Sequence, residues 1–272
     1  MNQGAGPAKS SRGTADKAAG LGCLHFVSIW ANEHGITFAQ AKVDQKSNEI
    51  TAIPPLLRLL DLEGCLVSSD AMGCQKEVAE VILDQKGDYL LAVKENQPTL
   101  YHDIVALVDK ALCSDFAGMR YAELLEHDKG HGRQETRTYT VIYEPEGLST
   151  IDQWAGLRAI VAVSRRRVVD GKESDELSYY ISSSTAAIAV LAAGIRGHWG
   201  IENKVHWVLD VVFGEDRSRA RAGNAGENLA WLRRTALSVL RQDKSGGTIK
   251  GKRKRAGWNE AYLEHLLSFL AA

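Results

Sequence analysis

The sequence predicts an α/β protein, with a mixed sheet flanked by helices and a β-rich stretch ahead of a long helical region. Three observations carry that prediction. Strand-length apolar runs alternate with helically spaced segments between residues 24 and 113, polar and apolar residues alternate through 122–141, and helical spacing dominates from Ala186 to Gln242. The chain has 272 residues, 44% of them hydrophobic, enough for a substantial core in one large domain or a domain with an insertion.

The elements follow in order. Leu24 to Trp30 and Ile36 to Val43 read as hairpin strands joined at a turn ending in Gly35. Residues 49–62 are apolar at helical spacing. Gly64-Cys-Leu-Val-Ser-Ser-Asp70 reads as a strand ending in an aspartate, and a small-residue turn then leads into a helix over Lys76 to Asp84. Asp88 to Lys94 is the next strand, and Pro98 precedes a helix over Thr99 to Cys113. The segments Ala159 to Ser164 and Leu177 to Ser183 flank a turn at Val169-Asp-Gly-Lys172. At the start, Met1-Asn-Gln-Gly-Ala-Gly6 holds no apolar strand and reads as a flexible tail. Glycines around 246–251 make the basic run there read as a mobile linker to a short last helix, Asn259 to Leu270. The expected organisation is a flexible remnant at 1–20, a core domain at 21–242 with a β-rich insertion at about 118–183, and a basic linker with a short helix at 243–272.

Charge is balanced, with 33 basic and 34 acidic residues and a formal net charge of −1, so composition alone gives no support for a nucleic-acid partner. The four cysteines, Cys23, Cys65, Cys74 and Cys113, lack the paired spacing of a zinc site and read as reduced thiols of a cytoplasmic protein. No apolar run reaches the roughly 18–20 residues of a membrane span, and no signal peptide is visible.

Two acidic positions stand out. His198, Glu202, His206 and Asp210 are spaced four apart, so at about 3.6 residues per turn they drift slowly around one helical stripe. A carboxylate between imidazoles suits a metal or phosphate site, and equally a buried polar helix with satisfied histidines. Asp70 closes a strand at the edge where open α/β sheets bind ligands, and it equally suits an N-cap. Further along, Arg133 and Arg137 either contact phosphates or pair with Glu135 in an exposed hairpin. Lys94 ends a strand beside Asp70 and reads as a phosphate contact or a cap. Arg217 and Arg219, in Asp216-Arg-Ser-Arg-Ala-Arg221, and the run Lys250-Gly-Lys-Arg-Lys-Arg255 would supply nonspecific DNA affinity or form solvated surface. Trp199 and Trp207 could stack on a base, although tryptophans on such a helix are more often core.

Several strings in fixed order carry a family resemblance: Lys46-Ser-Asn-Glu-Ile-Thr-Ala-Ile-Pro54, Val67-Ser-Ser-Asp-Ala-Met-Gly-Cys-Gln75, Gly87-Asp-Tyr-Leu-Leu-Ala-Val-Lys-Glu-Asn-Gln-Pro98, Gly130-His-Gly-Arg-Gln-Glu135 and His198-Trp-Gly-Ile-Glu-Asn203. Over nearly its whole length the chain resembles the DDE transposases of bacterial insertion sequences, in the H-repeat-associated branch. The resemblance implies a ribonuclease-H-like fold and three carboxylates holding two Mg2+ (or Mn2+) ions. It implies DNA strand cleavage and strand transfer on double-stranded DNA, at the element ends and the target, by copies assembled on that DNA, with no membrane partner. Asp70 then corresponds to the second carboxylate and Glu202 to the third, with Asp210 a further candidate metal ligand.

The first carboxylate is missing from its place. In the family it opens a string close to Asp-Gly-Lys-x-x-Arg-Gly-Ser, and here the matching stretch is Pro7-Ala-Lys-Ser-Ser-Arg-Gly-Thr14. The chain reads as truncated or rewritten at that residue. Asp16 and Asp44 are the nearest upstream acids, and Asp44 fits a turn better than a ligand. His198 stands where relatives carry an arginine before the glutamate, and Leu209 and Asp210 stand where they carry a lysine after it. Two ions about 3.5–4 Å apart need a shared ligand set, so impaired cleavage is expected. The alternatives are an inactive DNA-binding remnant that inhibits full-length transposase, and a metal-dependent phosphoesterase.

Overall fold

Apolar strands alternating with amphipathic helices build the computed structural model, which describes residues 2–11, 14, 24–31, 35–43, 49–130, 132–220 and 222–270. In chain order its elements are β1 (Asn2–Ser11), β2 (Leu24–Ala31), β3 (Ile36–Val43), α1 (Glu49–Leu57), β4 (Leu66–Ser69), α2 (Lys76–Asp84), β5 (Asp88–Val93) and α3 (Pro98–Cys113). There follow β6 (Arg120–Gly130), β7 (Arg133–Tyr143), β8 (Ala159–Val169), β9 (Lys172–Ser182) and α4 (Ile188–Ile201). A π-helical turn (Glu202–His206), α5 (Trp207–Val211), α6 (Ala225–Gln242), α7 (Ile249–Ala256) and α8 (Glu260–Ser268) complete the chain. The residues group into two compact units, Met1–Leu56 with Gly197–Ala272, and Leu57–Arg196.

The Leu57–Arg196 unit holds a six-stranded sheet in the order β4-β5-β9-β8-β7-β6. Only β4 and β5 run parallel, with α2 as their crossover, so the sheet is mixed, as the α/β reading predicts. The helix α2 buries Val78, Ala79, Val81 and Ile82, the apolar face that its spacing implies. Leu66 and Leu90 of the parallel pair, Tyr139, Val141, Val161 and Tyr180 of the outer strands, and Leu191 and Ile195 of α4 form one core cluster. The expected β-rich insertion is thus continuous with the main sheet, because β9 returns to pair antiparallel with β5. Its two-residue turn has Asp170 and Gly171 at φ 50° and 74°, the geometry favoured by a tight hairpin.

In the other unit, β1, β2 and β3 form an antiparallel sheet with β2 in the middle. Every residue of β2 from Phe26 to Ala31 is buried, as befits a central strand covered on both faces. Trp30 packs with Ile201, Val205, Val208, Leu209 and Leu237.

Three sequence expectations change. Residues 2–6, read as a flexible tail, belong instead to the strand Asn2–Ser11, because its backbone groups pair with β2 from Gln3↔Ala31 to Ser11↔Leu24 whatever its side chains contribute. The ladder is irregular between Gly6 and Lys9, where Pro7 has no amide hydrogen to donate. The helix starting at Glu49 stops at Leu57 rather than 62, and it carries Pro54 and Pro55, which have no amide hydrogen to donate to the preceding turn. The basic run at 250–255 lies in a helix, α7, rather than a linker, and it carries a buried Lys252.

Asp243 explains that last difference. Its Oδ1 accepts from Ser245 N (2.8 Å), its Oδ2 accepts from Ser245 Oγ and Tyr262 Oη (2.5 Å each), and Lys252 Nζ donates to its carbonyl oxygen at 2.6 Å. One residue therefore ties α7 and α8 to the end of α6. The hydrogen bonds from Ser245 and then Tyr262 hold its carboxyl well below the usual carboxylate range. A depressed folded-state pKa adds stability that is present above the unfolded value of about 3.9 and lost as pH falls through and below it. Asp243→Ala is expected to cost about 1–3 kcal/mol at neutral pH. Urea unfolding followed against pH should show the gap to the wild-type chain closing in acid.

Candidate active-site residues and a buried ion network

Asp70 directly follows β4, at the carboxyl end of the parallel pair. Its Oδ1 accepts from Gly73 N at 3.2 Å, so it caps the short 3-10 turn Ala71–Gly73 rather than α2. The segment after β5 braces this loop: Asn96 Nδ2 donates to Ala71 O at 2.6 Å, and Gln97 Nε2 donates to Cys74 O at 2.9 Å. Burial, and then the Asp70 charge, push the Cys74 thiol up to about 12, so it is a protonated packing group. Cys65 is also a buried thiol, which donates to Glu63 O at 3.8 Å, Cys113 is exposed, and Cys23 lies outside the described residues. Lys94 is exposed just beyond β5.

Glu202 opens the π-helical turn, an i→i+5 widening that interrupts the regular helix foreseen for this stretch. Its side chain is 64% exposed, and its Oε2 lies 2.9 Å from Nδ1 of the buried His206. Burial lowers the His206 pKa, with Glu202 opposing and the Lys9 and Arg234 charges adding to the depression. The imidazole is therefore neutral at pH 7, and Nδ1–H donates to Glu202. His198 is half-buried on α4, while Trp207 is 57% exposed rather than core.

Asp210 is engaged by a lysine. Lys9 Nζ, buried on β1, donates to both Asp210 oxygens at 2.7 Å and lies 3.8 Å from Glu215 and 3.9 Å from Asp216. Arg234, 1% exposed on α6, donates from Nη1 to Glu215 Oε1 at 2.7 Å and stands over the Phe26 ring at 5.5 Å. Gly214, at φ 63° and ψ 36°, takes the left-handed conformation that turns the chain into the Glu215–Arg217 segment. This network escaped the sequence reading. Its visible signal was an arginine at position 234, four residues after Ala230 and three before Leu237 on an otherwise apolar helix face.

Residues 3–239 match the family model for the transposase DDE domain. The chain belongs to that family. Among its relatives, "Putative transposase YncI" of Escherichia coli O157:H7 is 43% identical over 265 residues, covering 96% of this chain and 67% of that protein. "H repeat-associated putative transposase YhhI" of Escherichia coli K12 is 38% identical over 266 residues, covering 96% and 70%. "Putative protein YbfL" of the same strain is 39% identical with the same coverage.

Set against a DDE site, the donor set does not fit a pair of metal ions. Position 7 is Pro7, Asp210 is held by Lys9, and among the described residues no three His, Cys, Asp or Glu side chains gather to hold a metal. Asp16 and Asp44 lie outside the described residues. Asp70 falls in the Leu57–Arg196 unit, and Glu202 and Asp210 in the other. Arg217 and Arg219 are exposed, as is Arg133, whereas Arg137 is largely buried against Glu135. No helix among the described residues is long and apolar enough to cross a membrane.

Proposed function

We propose that this chain is a DNA transposase of insertion-sequence type whose strand cleavage is crippled at the first of the family's three carboxylates, and that double-stranded DNA binding is the activity it retains. The residue at position 7 carries this reading, because the family motif needs a carboxylate there and proline offers no ligand atom. Asp70 and Glu202 are the two carboxylates left to serve Mg2+ or Mn2+, the metal supplying charge neutralisation at the scissile phosphate when bound. His206 orients Glu202 through Nδ1. Lys94, His198, Arg217 and Arg219 are assigned to backbone phosphates, with Arg133 and Arg137 on the hairpin arm, and copies of the chain assemble on DNA.

The test compares the chain with Asp70→Ala and Glu202→Ala on supercoiled plasmid in magnesium. All three are expected to nick no faster than background, while each retards a DNA duplex at low salt. Nicking by the unaltered chain that both substitutions abolish would overturn the impairment. Absence of retardation would remove DNA as the partner.

A further inference from the structure

Glu135 is buried near the start of β7, and three arginines share it. Arg137 Nη2 pairs with its Oε1, Arg133 Nε lies 3.5 Å from its Oε2, and Arg167 Nε lies 3.4 Å from the same oxygen. Strand geometry explains the convergence. Residues 133, 135 and 137 project from one face of β7, and the β7–β8 register sets Val169, Arg167 and Arg165 opposite them. One carboxylate cannot neutralise three guanidinium groups. The neighbouring acids on this face are Glu126, paired with Arg196 at 2.9 Å, Glu176, paired with Arg165, and Asp128, which stands directly opposite Glu135 in the β6–β7 register, so three guanidinium groups face two carboxylates. Arg137 Nη1 is buried without a hydrogen-bond partner. Positive charge is therefore in surplus by one on this face of the hairpin, gathered by ion pairing around a buried acid.

The arm's place gives that surplus a use. Pairing between β5 and β9 ends at Val93↔Tyr179, and Asp70 lies at this same edge, one residue after the Ser69↔Leu91 pair. Beyond the edge β8 and β9 continue alone with β7 and β6, and Arg167 pairs with Ser174, five residues on from Tyr179. At about 3.3 Å per residue the cluster stands about 17 Å past the edge that carries Asp70. A duplex crossing that edge would lie along the arm for about five base pairs.

We propose that Arg133, Arg137 and Arg167, oriented by the buried Glu135, form a clamp on the sugar–phosphate backbone of duplex DNA lying across the Asp70 edge. The clamp rests on the reading of DNA as the partner and is independent of cleavage. Planar guanidinium groups suit phosphate oxygens bidentately, and their hold is sequence-independent. Glu135 acts as a positioning residue that keeps the forks spread.

Equilibrium binding of the full chain to a blunt duplex of arbitrary sequence, measured across a salt series, tests the clamp. Arg133→Gln and Arg167→Gln are each expected to flatten the slope of log K against log salt by about 0.9, the double variant by about twice that, and Arg133→Lys by little. Arg133 is the exposed member, so its replacement spares the packing around Glu135. Unchanged slopes in both glutamine variants, with the unaltered chain still binding, would overturn the clamp and leave the transposase reading intact. Failure of the unaltered chain to bind at low salt would instead refute DNA as the partner.

Discussion

Urea unfolding of Arg234→Ala is expected to show a loss of about 3–5 kcal/mol, the cost of breaking a buried ion pair by removing one member. Arg234 and Glu215 are both about 1% exposed, and Arg234 Nη1 also donates to Ala230 O at 3.2 Å. Burial lowers the Arg234 pKa, and the Glu215 charge opposes that shift, so the carboxylate keeps the guanidinium charged in the interior. Once the arginine is gone, Glu215 has Lys9 Nζ at 3.8 Å, and that ammonium is already committed to Asp210. Replacing both members, Arg234→Met with Glu215→Leu, should recover most of the loss, because no unpaired charge remains in the core. A single-variant loss below about 1 kcal/mol would mean that the pair is solvated and does not organise this unit.

Pro7→Asp is expected to raise magnesium-dependent nicking at least about 100-fold, since charge stabilisation by a well-held metal contributes several kcal/mol and each 1.36 kcal/mol is about tenfold. The substitution is structurally tolerable. Position 7 lies in the irregular part of the β1–β2 register, between Gly6 and Lys9, and aspartate returns an amide donor that proline lacks. Lys9 anchors the strand on one side of it through Asp210, and the regular pairs from Gln3 to Gly6 anchor it on the other. With manganese in place of magnesium the gain should persist, and with chelator it should vanish.

Legibility in the sequence followed periodicity. The strand ending at Ser69, the helix Lys76–Asp84 and the hairpin strands around residue 170 were readable because apolar period and turn residues agree there. Asn2–Ser11 was not, since a strand paired through its backbone to β2 needs no apolar signature. The helix α7 was hidden by glycines and like charges, and what orders it is the distant Asp243. For the proposed site, motif strings pointed to Asp70 and Glu202, and the pairing of Arg133 and Arg137 with Glu135 was open to a local reading, while Lys9 as the partner of Asp210 and Arg167 as a partner of Glu135 depended on long-range pairing. Lys9 and Asp210 lie 201 positions apart, a separation that no local pattern encodes. Arg167 faces Glu135 only through the β7–β8 register.

Whether position 7 and Glu202 belong to one cutting site is measured by a time course of plasmid nicking in magnesium by Pro7→Asp beside Pro7→Asp with Glu202→Ala. Nicking is expected from the first protein, little from the unaltered chain, and its loss in the doubly substituted protein. Equal rates in all three would contradict this expectation, because neither position 7 nor Glu202 would then belong to the site that cuts DNA.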